Sequence, residues 1–274
     1  MSEHDLHTAQ FQGRHVFVAG GSSGINFGIA QAFARAGARL TVLSRSADKV
    51  ASAAAQLQAL GTDALGVAAD VRQPEALQAA FEQAVARFGP IDVLVSGAAG
   101  NFLAQATDMS PNAFKTVVDI DLLGSFNVVR LAHAHLRQPG ASVLQISAGQ
   151  SFIATPYQAH VCAAKAGVDM LTRVLALEWG AQGIRINSIV PGPIADTEGL
   201  KRLAPTDDTL QAMAQRVPLK RLGSIQDIAR MAMLLASDWG AWITGAVIPV
   251  DGGLALTGPR DFSAAAQASQ RERA

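Results

Sequence analysis

The chain has 274 residues, with 22 Lys and Arg against 22 Asp and Glu and a hydrophobic share of 49%. That balance argues against the broad electrostatic footprint needed for nucleic acid or an acidic membrane, and no apolar run approaches the roughly 20 residues that span a bilayer. A single cysteine, Cys162, excludes an internal disulfide framework; with a polar first ten residues it makes a reducing, cytoplasmic setting the expectation.

Residues 15–20, HVFVAG, read as a first strand, and an Ala-rich stretch with apolar residues at i, i+3, i+4 spacing follows over 26–36. A second strand over 38–44 leads to a helical pattern over 47–60, and a third over 64–70 to another over 75–88. The fourth strand, 91–96, precedes a long helical pattern over 112–137, and the fifth, 142–147, precedes one over 159–180. The sixth, 184–190, is followed by a segment, 197–218, longer than a crossover requires and expected to form a lid over the site; the last strand is 245–250. Seven strands with helices after the first six imply right-handed crossovers and an α/β fold, a doubly wound seven-stranded parallel sheet. Strands buried on both faces account for the apolar share. No Pro/Gly-rich linker divides the chain, so one domain is expected over 1–274, with a core of about 12–254 and a tail of 255–274.

Strand 15–20 runs into Gly20-Gly21-Ser22-Ser23-Gly24-Ile25-Asn26, after which a helix begins. Glycines there permit a tight turn and close approach of backbone to a pyrophosphate resting on the helix N-terminus. At the first strand–helix junction of such a sheet this turn points to dinucleotide binding rather than to a plain loop. The end of the second strand should show which dinucleotide. It carries Ser44-Arg45-Ser46, with no carboxylate for a ribose 2′-hydroxyl and a guanidinium able to pair with a 2′-phosphate, so NADP(H) is the expected cofactor. Asp70-Val71, after the third strand, is placed to meet adenine. Ala98 and Gly100, after the fourth, allow close approach of the cofactor. Pro191, Gly192 and Ile194, after the sixth, form a rigid wall suited to the nicotinamide ring, with Thr197 within reach of the carboxamide or phosphates. These positions sit at consecutive strand C-termini, where such sheets bind ligands. No metal is called for.

With these segments, together with Lys165 and the late Asp251-Gly252-Gly253, residues 12–254 resemble the short-chain dehydrogenase/reductase family, a Rossmann fold. The departures are specific. The third glycine of the turn is Asn26, the usual Asn of the fourth helix is Asp121, the usual catalytic Ser falls at Ala148 and the usual Tyr at Val161. GAAGNF (97–102), SPNAFKTVVDIDLLGSFNV (110–128) and PGPIADTEGLKRL (191–203) resemble the 2,4-dienoyl-CoA reductase branch, its peroxisomal type in particular. That resemblance implies NADPH-dependent reduction of a 2,4-dienoyl-CoA thioester to a 3-enoyl-CoA in unsaturated fatty acid oxidation, and a homotetramer with helices 112–137 and 159–180 pairing across subunits. The chain ends in RERA rather than an SKL-like address, which again favours cytoplasm.

A ketone reductase must protonate an alkoxide as hydride arrives, so it needs a positioned acid. A conjugated thioester demands less, because added charge spreads onto the thioester oxygen, where donors can stabilise it. Loss of Ser and Tyr therefore harms carbonyl reduction more than dienoyl reduction. By resemblance, Lys165 bridges the nicotinamide ribose hydroxyls and Asp121 faces the site near it. An ammonium favours the ionised carboxylate, so the expected proton source is a water ordered by Asp121 and Lys165, with direct donation by Asp121 second. Asn101 is expected on the thioester or its enolate, with Phe102 beside the substrate. Tyr157 and His160 are read as scaffold or loop contacts, Cys162 as packing. Lys201, Arg202, Lys220 and Arg221 are candidates for CoA phosphates. The alternatives are another reductase on this fold, acting on trans-2-enoyl or 3-oxoacyl thioesters, and a non-catalytic NADPH-binding sensor.

Overall fold

The computed structural model describes residues 10–203 and 206–257. Its strands are β1 (His15–Ala19), β2 (Arg39–Ser44), β3 (Ala64–Ala68), β4 (Val93–Ser96), β5 (Ser142–Ile146), β6 (Arg185–Pro191) and β7 (Val247–Val250). They form one parallel sheet in the order β3-β2-β1-β4-β5-β6-β7, the doubly wound arrangement expected, with its switch point between β1 and β4. Alternation along the strands divides the core. Val16, Val18, Val93, Val95, Leu144 and Ile189 face one layer of helices, α1 (Gly24–Arg35), α2 (Ala47–Gln58) and α9 (Ile225–Ala236). Phe17, Leu94, Val143 and Ile186 face the other, built from α3 (Pro74–Phe88), α5 (Gly124–Ala132) and α6 (Ala159–Trp179).

Helix α9, for which no bounds were expected, completes the first layer. Ser224 and Asp227 cap it reciprocally, and a Cβ at Gly28 would stand 1.9 Å from Ile225 Cγ2, so α1 and α9 meet through a glycine. The expected continuous helix 112–137 is interrupted. It consists of α4 (Pro111–Val118), a π-helical turn over Asp119–Leu123, α5, and a 3₁₀ turn at His133–His135. The wider turn is tied by one tertiary bond, Gly100 N–H donating to Asp121 Oδ1 at 2.7 Å, and by a local one, Ser125 Oγ donating back to the Asp121 carbonyl at 2.6 Å. Single π-turns inside helices are frequent at functional sites. The proposed lid segment holds two helices, α7 (Glu198–Leu203) and α8 (Asp207–Arg216), the second with a Thr206–Thr209 capping box. Among the described residues, no helix is long and apolar enough to cross a membrane.

At the far end of the sheet from the glycine turn, His15 is fully buried. Its Nδ1–H donates to the Gly89 carbonyl at 2.8 Å and its Nε2 lies 3.0 Å from the Thr41 hydroxyl, which can donate to it when the ring is neutral. Burial lowers its pKa from 6.5 to about 4. Below about pH 6.5 the unfolded chain therefore takes up a proton that the folded chain refuses until about pH 4, and stability falls across that window as pH falls. Between pH 7 and pH 5 the loss assignable to His15 should be about 2 kcal/mol. Urea midpoints at the two pH values, compared with those of His15→Gln, check this; equal slopes in both chains would remove His15 as the cause.

Candidate active site

The glycine turn is built by contact with the β4 turn. Gly20 has φ 77°, and a Cβ there would stand 2.9 Å from the Ala98 backbone. Asn26, in the place of a third glycine, ties the same two turns together, its Nδ2 donating to the Gly97 carbonyl at 2.7 Å and more weakly to that of Gly20 at 3.4 Å. Ser23 is the N-cap of α1 but makes no side-chain capping bond, and no acidic residue lies in the first turn. The opening N–H groups of α1 are thus left for an external acceptor. Gly24, with φ 59°, has no other atom of the described residues within 4 Å of where a Cβ would stand, so the space beside that turn is open there. Ser22, Ser23, Gly24 and Ile25 thus surround a cradle suited to a pyrophosphate.

Arg45 is exposed at the end of β2, beside a buried Ser44 Oγ with no hydrogen-bond partner. Asp70 is engaged by Arg72 at 2.6 Å. The Arg72 guanidinium, with Arg45 adding at longer range, holds the Asp70 carboxyl below its ordinary value. Val71 is buried, its carbonyl accepting from Asn127 Nδ2. On the other side of the switch point, Pro191 closes β6, and Gly192 packs so that a Cβ would lie 2.6 Å from Asp251 Cα. Ile194 is buried and bridges to Gly223. Thr197 Oγ donates to the Ile194 carbonyl at 2.9 Å and accepts from Leu200 N–H at 3.2 Å, so the hydroxyl expected to meet the cofactor also starts α7.

The catalytic candidates converge at the C-terminal ends of β4 and β5. Lys165 Nζ lies 3.4 Å from Asp121 Oδ2, with the two side chains 6% and 1% exposed, and it donates to the Ile146 carbonyl at 3.1 Å. Asp121 in turn accepts from Gly100 N–H, which sets the backbone immediately before Asn101. Asn101 is half-buried, and its Oδ1 accepts from Gln158 Nε2 at 2.9 Å. Phe102 packs its ring 4.2 Å from that of His160. Val161 is buried in the first turns of α6, and Ala148 follows β5. No phenol stands among these groups: Tyr157 lies in the loop before α6, half exposed, with φ 65°.

Several features go beyond the expectations, which had His160 only as a scaffold or loop contact. His160 is fully buried with neither ring nitrogen bonded, and burial lowers its pKa against the opposing charge of Asp121. Ser147 and Ser151, after β5, each bury a hydroxyl that has no partner among the described residues. Gln150 and Gln158 form an amide chain with Asn101. Of the basic residues considered for CoA, Arg221 is committed to Asp227 at 2.8 Å and Lys220 Nζ to the Gln215 carbonyl; the side chains of Lys201 and Arg202 lie outside the described residues.

A model of the enoyl-(acyl carrier protein) reductase family matches residues 19–255. A solved short-chain dehydrogenase from Bacillus anthracis superposes with a TM-score of 0.84 at 34% identity, covering 92% of this chain and all of that one. The chain belongs to the short-chain dehydrogenase/reductase family, oxidoreductases whose fold implies a nicotinamide cofactor. Within it, the chain is 46% identical over 247 residues to a peroxisomal 2,4-dienoyl-CoA reductase of Pongo abelii, (3E)-enoyl-CoA-producing, across 89% of this chain and 85% of that protein. It is 45% identical over 253 residues to the rat protein of the same description, across 92% and 87%.

Proposed function

We propose that this chain is an NADPH-dependent 2,4-dienoyl-CoA reductase that yields a 3-enoyl-CoA. The observation that carries the reading is a buried Asp121–Lys165 pair at 3.4 Å, next to Asn101, where no phenol is available as an acid. Such a site suits a substrate that needs charge stabilised at a thioester oxygen more than a proton delivered to an alkoxide. When bound, NADPH supplies a hydride to the far end of the diene. Asn101, through its amide N–H₂, donates to the thioester oxygen on which the negative charge of the dienolate collects. Asp121 and Lys165 order the water that protonates the α carbon, which leaves the remaining double bond between carbons 3 and 4. Lys165 donates to the Ile146 carbonyl and pairs with Asp121 at 3.4 Å, and its remaining N–H groups would meet the nicotinamide ribose. Ser22, Ser23, Gly24 and Ile25 receive the pyrophosphate, Arg45 the 2′-phosphate, Asp70 and Val71 the adenine, and Pro191, Gly192, Ile194 and Thr197 the nicotinamide end.

Two loops beside Asn101 support an acyl substrate. Phe102 and Leu103 on one, and Phe152, Ile153 and Tyr157 on the other, leave apolar surface exposed, and Ala104 N–H donates to the Tyr157 carbonyl between them. A homotetramer is favoured by apolar side chains left in solvent on the π-turn, α4 and α5 (Phe114, Leu123, Phe126) and on α6 (Met170, Val174, Leu177). The free, half-buried Cys162 suits a cytoplasmic setting.

Following NADPH oxidation with 2,4-hexadienoyl-CoA, a 2-enoyl-CoA and acetoacetyl-CoA tests the reading. We expect the diene to be reduced at least about 10²-fold faster than the ketone, the contribution of a missing general acid. Brisk ketone reduction with the diene untouched would overturn the assignment. Tight NADPH binding without oxidation by any of the three would favour a sensor.

A further inference from the structure

We propose that Gln158 is a positioning residue for the reduction, locking the Asn101 amide so that its N–H₂ group, and not its oxygen, faces the thioester. This rests on the assignment of Asn101 made above. An asparagine can present either end of its amide to a ligand, and only the N–H₂ end stabilises a developing oxyanion. Something has to choose between the two.

The backbone around Asn101 is already fixed. On one side Gly100 N–H is held by Asp121. On the other, Ala104 N–H donates to the Tyr157 carbonyl, and Phe102 packs on His160. What these contacts leave open is the rotation of the Asn101 side chain. Gln158 closes that freedom. The residue is 1% exposed and its side chain is bonded at both ends: Oε1 accepts from Gln150 Nε2 at 2.6 Å, and Nε2 donates to Asn101 Oδ1 at 2.9 Å. Because Gln150 occupies the oxygen of Gln158, its nitrogen is the end turned to Asn101. Asn101 Oδ1 is consumed, and among the described residues no protein acceptor takes Asn101 Nδ2, which is therefore the end available to substrate.

The local backbone is consistent with a side chain held for this purpose. Gln158 occupies the N-cap of α6 and makes no side-chain capping bond there, which leaves its amide to Gln150 and Asn101. Its predecessor Tyr157 adopts φ 65°, a conformation that a bulky residue takes only when its surroundings enforce it. The relay joins the turn after β4, the 3₁₀ turn after β5 (Gly149–Ser151) and the start of α6, the three segments that frame the proposed thioester position.

Gln158→Glu tests the direction of the relay. A carboxylate accepts from Gln150 but cannot donate to Asn101 Oδ1; it draws Asn101 Nδ2 instead and turns the oxygen towards substrate. We expect kcat/KM for 2,4-hexadienoyl-CoA to fall by about 10²-fold, close to the value for Asn101→Ala, with NADPH affinity unchanged. In an Asn101→Ala background the same change should add less than about threefold, because the two residues act as a unit. Retention of wild-type activity in a Gln158→Glu chain that binds NADPH overturns the proposal, as do effects that multiply. Should that chain fail to bind NADPH, Gln150→Glu decides by the same criteria. The half-buried Gln150 tolerates the charge more readily, and its carboxylate would draw Gln158 Nε2 and reverse the relay from the other end. A wild-type chain inactive on dienoyl thioesters would remove the assignment of Asn101 as well, a result distinct from an active enzyme indifferent to Gln158.

Discussion

Exchanging Lys165 for Met is expected to lower kcat/KM for the dienoyl thioester by about 10³-fold and to cost the fold about 3–5 kcal/mol. Both effects come from one geometry. The ammonium is almost wholly buried, 3.4 Å from a carboxylate that is more buried still, and Asp121 Oδ2 has no hydrogen-bond partner to take its place. Removing one member of such a pair leaves the other charge uncompensated in low dielectric. The double variant Asp121→Asn/Lys165→Met separates the two consequences. Asn at 121 retains an oxygen for Gly100 N–H but carries no charge, so urea denaturation should show most of the lost stability restored while NADPH oxidation stays absent. A Lys165→Met chain keeping more than a tenth of wild-type activity would refute the catalytic role; a double variant no more stable than the single would refute the charge argument.

Much of the scaffold could be read from one dimension, because buried parallel strands declare themselves as apolar runs and their connecting helices as Ala-rich patterns. The disagreements arise where tertiary bonds overrule periodicity. The run Ile120-Asp121-Leu122-Leu123 fits a 3.6-residue period as well as any helix; the π-turn is imposed from outside, by Gly100 N–H on the Asp121 carboxylate. The fourth strand is bounded at Val93 rather than 91; Asp92 N–H still donates to the His15 carbonyl and its own carbonyl accepts from Ser142 N–H, while Ile91 bridges alone to Leu136. Within the site, the glycine turn and Arg45 were readable from their place after β1 and β2. Asp121 and Lys165 were readable only through family resemblance, since nothing in either local pattern marks a buried charge. Gln158 was not readable at all. Its partner Asn101 lies 57 residues away, and a glutamine at the foot of a helix looks the same whether it faces solvent or an active site. Asn26 did leave a signal, as an unexpected side chain in a glycine position, but its bond to Gly97 became visible only in three dimensions.

Arg45→Asp is expected to weaken NADPH binding by about 10²–10³-fold while modestly improving NADH affinity. Arg45 stands exposed at the end of β2, and its charge reaches Asp70, itself paired to Arg72. The unaltered group therefore carries two cations and one anion, a net positive charge beside the buried, unpartnered Ser44 hydroxyl. On the reading proposed above, that combination would receive a dianionic 2′-phosphate through charge-assisted bonds worth about 1.5–3 kcal/mol. Aspartate removes those bonds and sets a second carboxylate against the phosphate, so loss and repulsion add. A ribose with a free 2′-hydroxyl meets the opposite change, since the new carboxylate can accept from it. Tryptophan fluorescence titrations with both cofactors, on both chains, give the four affinities. The cofactor preference should fall by at least about 10²-fold; a chain whose NADPH preference survives the substitution would show that the 2′-phosphate is held elsewhere, with Arg72 the next guanidinium to replace.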